Sequence, residues 1–269
     1  MNPGSLLPAL RKLLVLPLLA GACALPSHAQ EQRVEDVATR SGVTMRMLVL
    51  SPGKPKAAVI LFAGGHGGLQ IGTDGSMAWG EGNFLVRSRR LFADAGLLVA
   101  VVDAPSDRQA PPFLGGFRQT PEHVQDVRHV IARLRQMAGV PVWLVGTSRG
   151  TQSAAFIATQ LALPDGPDGV VLTSTIVKDE RGRPVPAMPL GRIRVPVLLV
   201  HHEQDACASC SFSEVPGLLQ KLDSAPRSQL IAFKGGVSRG DPCEAMAYHG
   251  YNGLERDVVR AISQWILGS

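Results

Sequence analysis

The sequence predicts a single α/β domain: a doubly wound, mostly parallel sheet with helices on both faces. Three observations carry this. Short apolar runs recur at 57–63, 97–102, 142–145, 170–173, 197–200 and 230–233, each rich in Val, Ile or Leu on both faces. Runs of that kind suit strands covered from both sides. Between them lie segments with helical spacing and recognisable ends, and strand–helix alternation builds a parallel sheet. At 269 residues the chain has room for one core, and no repeat or linker divides it.

The elements follow in order. Weak alternation over 44–50 predicts an antiparallel edge strand. A helix over 84–95 starts after Asn83 and stops at Gly96. Thr120-Pro121-Glu122 supplies an N-cap, a first-turn proline and an acid near the positive end of the helix dipole. Val124, Val127, Ile131 and Leu134 then repeat at helical spacing and form the buried face. Residues 151–161 read as another helix, and the last helix carries Leu254, Val258, Ile262 and Trp265 on one side.

The first 29 residues read as a targeting segment. Arg11 and Lys12 precede an apolar run, 13–22, that is short for a bilayer span. Ser27-His28-Ala29 offers small residues to a signal peptidase, so cleavage before Gln30 is expected, leaving 30–269 as one domain in the periplasm or outside the cell. A competing leader, Leu19-Ala20-Gly21-Ala22-Cys23, would instead leave Cys23 acylated and anchored. The formal charge of +5 falls to +3 without the leader, and Lys and Arg are scattered. That excludes the clustered basic and aromatic surface of nucleic-acid binders. No other segment is long and apolar enough for a membrane helix.

The sharpest feature is Gly146-Thr147-Ser148-Arg149-Gly150. The bare pattern is common, so context decides. Val142-Trp143-Leu144-Val145 runs straight into it and a helical segment leaves it, giving the strand, tight turn and helix of a nucleophile elbow. Side chains at Gly146 or Gly150 would collide with neighbouring backbone as Ser148 is pushed into the cleft.

With this elbow the chain resembles the α/β-hydrolase superfamily, in the small, lid-poor form of the dienelactone hydrolases. The resemblance implies a serine hydrolase with the chain order Ser, Asp or Glu, His. A serine hydroxyl needs a base at neutral pH, and the base needs an orienting acid. The strand 197–200 leads into His201-His202-Glu203-Gln204-Asp205, which places Asp205 as the acid, with Glu203, Asp241 and Glu244 as rivals. Tyr248-His249-Gly250, in the loop after the next strand, places His249 as the base. Of the other histidines, His28 is in the leader, and His123 and His129 fall on the amphipathic helix in solvated or capping positions. His201 and His202 stand beside the acid, and His66 follows an early strand. The resemblance puts the oxyanion donors at the backbone amide of Arg149 and in Gly64-Gly65-His66-Gly67-Gly68, with Gly65 first and His66 second. No metal or cofactor is implied.

Three cysteines remain after the leader, and an oxidising compartment suggests one disulfide and one thiol. A Cys207–Cys243 bridge would tie the acid loop to the histidine loop; Cys210 is an equally legal partner by spacing. A carboxylic ester of a small molecule or polymer end is the expected substrate, with thioesters and amides alternatives. Only 174–194 has room for a lid, so an open site is expected. Two other readings are a non-catalytic binding module on this scaffold and a periplasmic thiol–disulfide protein using Cys207 and Cys210.

Overall fold

Among the described residues eight strands form one sheet: β1 (Glu31–Arg40), β2 (Val43–Ser51), β3 (Ala57–Phe62), β4 (Leu97–Pro105), β5 (Val142–Thr147), β6 (Gly169–Thr173), β7 (Val197–His202) and β8 (Ser228–Phe233). They lie in the order β1-β2-β4-β3-β5-β6-β7-β8. The β1–β2 and β2–β4 pairings are antiparallel, and every later pairing is parallel. The computed structural model describes residues 31–180 and 182–268, with Met1 and Gly4. Apart from Met1 and Gly4, the expected leader 1–29, with Arg11, Lys12, Cys23 and the cleavage site before Gln30, lies outside the described residues.

The apolar runs become the central strands because alternate residues feed two cores. In β3, Ala58, Ile60 and Phe62 point into one layer, and Ala57, Val59 and Leu61 into the other. The helices are α1 (Phe84–Arg87), α2 (Arg89–Asp94), α3 (Pro121–Ala138), α4 (Gly150–Gln160), α5 (Pro216–Gln220) and α6 (Glu255–Leu267). Helices α3 and α4 cover the first layer through residues such as Val127, Ile131 and Ile157. Helices α1, α2 and α6 cover the second through Phe84, Phe92, Val258 and Ile262. The expected caps form: Thr120 accepts from the His123 amide at 3.3 Å, and Asn83 accepts from Leu85 at 3.3 Å.

Four expectations are corrected. Residues 44–50 belong to β2, but β2 is not the edge, because the unexpected strand β1 covers it. As an exposed edge β1 needs little apolar content and keeps only Val34, Val37 and Ala38 from that class, so its pattern is faint. Strand β8 is the other edge, with exposed or half-buried side chains throughout, rather than a strand covered on both sides. The helix over 84–95 breaks at Ser88 into α1 and α2, where Arg87 turns to meet Glu255 at 2.9 Å. His123 is fully buried rather than solvated, held between the rings of Phe62 and Phe117.

The described residues of 174–194 contain two short 3-10 turns, Val185–Ala187 and Leu190–Arg192, and no long helical insert. Among the described residues no helix is long and apolar enough to cross a membrane. The loops after β3, β5, β7 and β8 leave the same edge of the sheet, which is where such sheets carry their sites.

Candidate active site

Ser148 occupies the turn between β5 and α4 with a left-handed φ of 51°. A non-glycine residue there costs on the order of 1–3 kcal/mol and persists only where its surroundings impose it. Here they do: its N–H donates to Thr173 O at 3.0 Å, and its own carbonyl accepts from the Thr151 hydroxyl at 2.6 Å. The two motif glycines are required by close approach. A Cβ at Gly150 would stand 2.1 Å from Phe62 O, and one at Gly146 would stand 2.4 Å from Gly150 O.

Asp205 lies three residues past β7, and His249 on the 3-10 turn Tyr248–Gly250. They meet at 2.9 Å, His249 Nδ1 to Asp205 Oδ2, with both side chains buried. Asp205 also receives the Cys207 amide at 3.0 Å and lies 3.4 Å from His201 Nε2. Burial opposes its ionisation, but the hydrogen bonds from His201, His249 and Cys207 outweigh that and draw its pKa down to about 2. The rival acids are placed elsewhere: Glu203 pairs with Lys234 at 3.0 Å, and Asp241 caps the Cys243 amide at 2.8 Å. Glu244 lines the cavity but makes no bond to His249 among the described residues.

The histidine turn is fastened from below. Ser174 Oγ donates to His249 O at 2.7 Å, and the buried Tyr251 hydroxyl donates to Val200 O at 2.8 Å. A Cβ at Gly250 would fall 1.9 Å from Ala245 O, so the residue after His249 has to be glycine. His202 braces the neighbouring loop through Gly235 O at 2.9 Å and stacks on Tyr248.

Ser148 and His249 open into one cavity of about 450 Å³, whose wall includes Gly64, Gly65, Trp79, Cys207 and Cys243. The amides of Gly65 and Arg149 donate to no protein acceptor among the described residues. His66 faces a neighbouring cavity of about 690 Å³ instead, its ring sandwiched between Trp79 and Phe113. Gly65 and Arg149 border both cavities. The Arg149 side chain turns into the second one and pairs with Asp179 at 2.9 and 3.3 Å.

Cys207 and Cys243 are joined by a disulfide, leaving Cys210 as the free, buried thiol of the described residues. Burial first, and the Asp205 charge second, push the Cys210 thiol above its ordinary range. That is the opposite of the exposed, acidic thiol that disulfide exchange requires, which weighs against the thiol–disulfide reading. Ligand atoms of Cys207, Cys210 and His249 lie within 4.8 Å of one another. The sulfur of Cys207 is already committed to its bridge, so the trio is not a free donor set.

Two contributors escape sequence reasoning, and a third is offered by it for a different role. Trp79 sits in a long loop with no periodicity, and only its isolation as an aromatic among glycines hints at a wall. The sequence offers Cys210 only as a disulfide or redox cysteine; the fold sets its sulfur within 4.8 Å of a His249 ring nitrogen. Arg118, buried beneath the loop that carries Gly65, has no sequence marker at all.

No family model matches the sequence, and no curated protein does either. Solved structures match strongly. A dienelactone hydrolase from Anabaena variabilis aligns with a TM-score of 0.61 at 13% identity, covering 90% of this chain and 99% of its own. An esterase from Pyrococcus furiosus aligns at 0.63 with 12% identity, covering 95% and 97%. A lidless α/β serine hydrolase from Xanthomonas campestris aligns at 0.56 with 15% identity, covering 86% and 95%. With this strand order and an elbow between β5 and α4, the chain has the α/β-hydrolase fold.

Proposed function

We propose that the chain is an exported serine hydrolase that cleaves carboxylic esters through an acyl-enzyme. The observation that carries the proposal is the 2.9 Å contact of His249 Nδ1 with the ionised Asp205, beside a cavity that Ser148 enters from a strained turn. An ionised Asp205 keeps a hydrogen on Nδ1, which leaves Nε2 as the basic nitrogen. His249 then takes the Ser148 proton as the hydroxyl attacks the ester carbonyl. The amides of Arg149 and Gly65 receive the oxyanion, the alcohol leaves with the proton from His249, and water releases the acyl group by the same route.

The structural relatives include esterases and a dienelactone hydrolase, which supports hydrolysis as the reaction class. The short 3-10 turns that the described residues of 174–194 form, in place of a helical insert, support substrates that approach freely, whether small esters or polymer ends. The Cys207–Cys243 bridge supports an oxidising compartment, with 1–29 as the leader and 30–269 as the catalytic domain.

The test is labelling of the mature protein with a fluorophosphonate probe beside Ser148→Ala, followed by an ester and thioester panel. Labelling confined to the wild type is expected. A folded wild type that does not label would remove the proposal and favour a binding module on this scaffold.

A further inference from the structure

Arg118 is a buried cation that no carboxylate pairs with among the described residues. It is 6% exposed, and the charged group that acts on it most among the described residues is another cation, Arg149. Burial first, and Arg149 second, lower its pKa to about 9, so it stays charged at neutral pH. Burying a guanidinium is costly unless its hydrogen bonds and charge are answered. Its hydrogen bonds are answered, by Ser153 Oγ at 3.0 Å, Ala63 O at 3.0 Å and Gly65 O at 3.3 Å. Its charge is not.

Those partners define what Arg118 joins. Ala63 and Gly65 begin the loop after β3, the loop carrying the candidate oxyanion donor. Ser153 lies in the second turn of α4, the helix that leaves the elbow, and is itself held by His123 Nε2 at 3.0 Å. One guanidinium fork therefore locks the oxyanion loop to the helix behind the nucleophile. In a trans peptide the C=O and N–H point in opposite directions. Holding the carbonyls of Ala63 and Gly65 fixes the peptide units on either side of the Gly64–Gly65 peptide, whose N–H is the donor. The wedge is tight: a Cβ at Gly67 would stand 2.4 Å from Arg118 Nη2. The field also reaches His66, which burial first and Arg118 second hold below its ordinary range.

We infer that Arg118 is the positioning residue of the oxyanion hole, orienting the Gly64–Gly65 peptide and lending an uncompensated positive charge to the anionic transition state. A purely structural strut would gain from a carboxylate partner. A cation left unanswered in the ground state is answered when negative charge develops on the substrate oxygen, which is electrostatic preorganisation. The inference rests on the serine-hydrolase reading, and its test separates the two.

The experiment measures kcat and KM per fluorophosphonate-titrated serine for wild type, Arg118→Lys, Arg118→Met and Ser153→Ala, with binding of a boronic acid as transition-state mimic. Loss of one oxyanion donor costs about 100- to 1000-fold. By that scale Arg118→Lys should lower kcat about 10- to 100-fold with KM within about threefold, and Arg118→Met further. Ser153→Ala, which leaves the arginine but frees one arm of its fork, should lower kcat about 3- to 10-fold. Boronate affinity should fall in step with kcat. If Arg118→Met does not fold, the lysine and Ser153→Ala variants carry the test. Unchanged kcat per titrated serine in those two overturns the inference and leaves the hydrolase reading standing; a wild type that never labels overturns both.

Discussion

The main-chain N–H of Cys207 donates to Asp205 Oδ1 at 3.0 Å while the Cys207 sulfur is bonded to Cys243. One residue thus holds Asp205 by its backbone and the loop that carries His249 by its side chain. The bridge closes a separation of 36 residues. A loop of that size corresponds to about 4 kcal/mol in the chain-entropy account. Cys243→Ser, or reduction, should lower urea stability by up to that amount and reduce ester turnover with it. A peptide map of non-reduced protein should show 207 linked to 243 and Cys210 alone; a free Cys243 would refute the arrangement.

The left-handed φ of Ser148 sets function against stability. Ser148→Gly relieves the backbone strain while deleting the hydroxyl, so it should gain about 1 kcal/mol in chemical denaturation and lose all probe labelling. A Ser148→Gly protein less stable than wild type would show that the turn is not strained.

Asp205→Asn keeps the shape of the side chain and removes its charge. Turnover should fall about 10⁴-fold, because His249 loses the partner that fixes its tautomer. Steady-state assays at constant pH check this, and a loss below tenfold would assign the acid elsewhere.

Gly250→Ala should disable the histidine turn locally. The added methyl meets Ala245 O at 1.9 Å, and backbone on both sides has little room to yield. We expect a stability loss of about 1–3 kcal/mol and activity lower than that loss explains, measured as kcat on the folded fraction.

Acid should unfold the protein in two stages. His123, pushed down to about 3 chiefly by burial and then by Arg118 and Arg40, stays neutral in the fold, whereas the unfolded residue protonates near 6.5. Between those values the unfolded state binds more protons, so stability falls as pH drops through that window. Asp205 is the carboxylate counterpart: its contribution is full above about pH 4 and is lost as pH falls toward 2. Urea midpoints against pH should slope between 6 and 4, and His123→Asn should flatten that slope.

Much of the fold was legible because buried parallel strands must be apolar on both faces; six such runs stood out, although 230–233 belongs to an edge. Strand β1 was not, since an edge with one neighbour tolerates polar residues at most positions. Ser148, Asp205 and His249 could be proposed because the elbow is local and the other two follow it in a fixed order. Choosing Cys207 over Cys210 as the partner of Cys243 required the three-dimensional course of the loop after β8. Arg118 was invisible for a similar reason: its partners are carbonyls 53 and 55 residues away, and carbonyls leave no imprint on side-chain pattern.

The disulfide has a further consequence for anyone reshaping the cleft. Both of its residues line the cavity that Ser148 enters. In a library of cleft variants, positions 207 and 243 therefore behave as one site with a single permitted state. Diversity has to be sought at other lining positions such as Trp79 and Gly82, where a changed side chain alters the shape of the cavity without breaking the bridge.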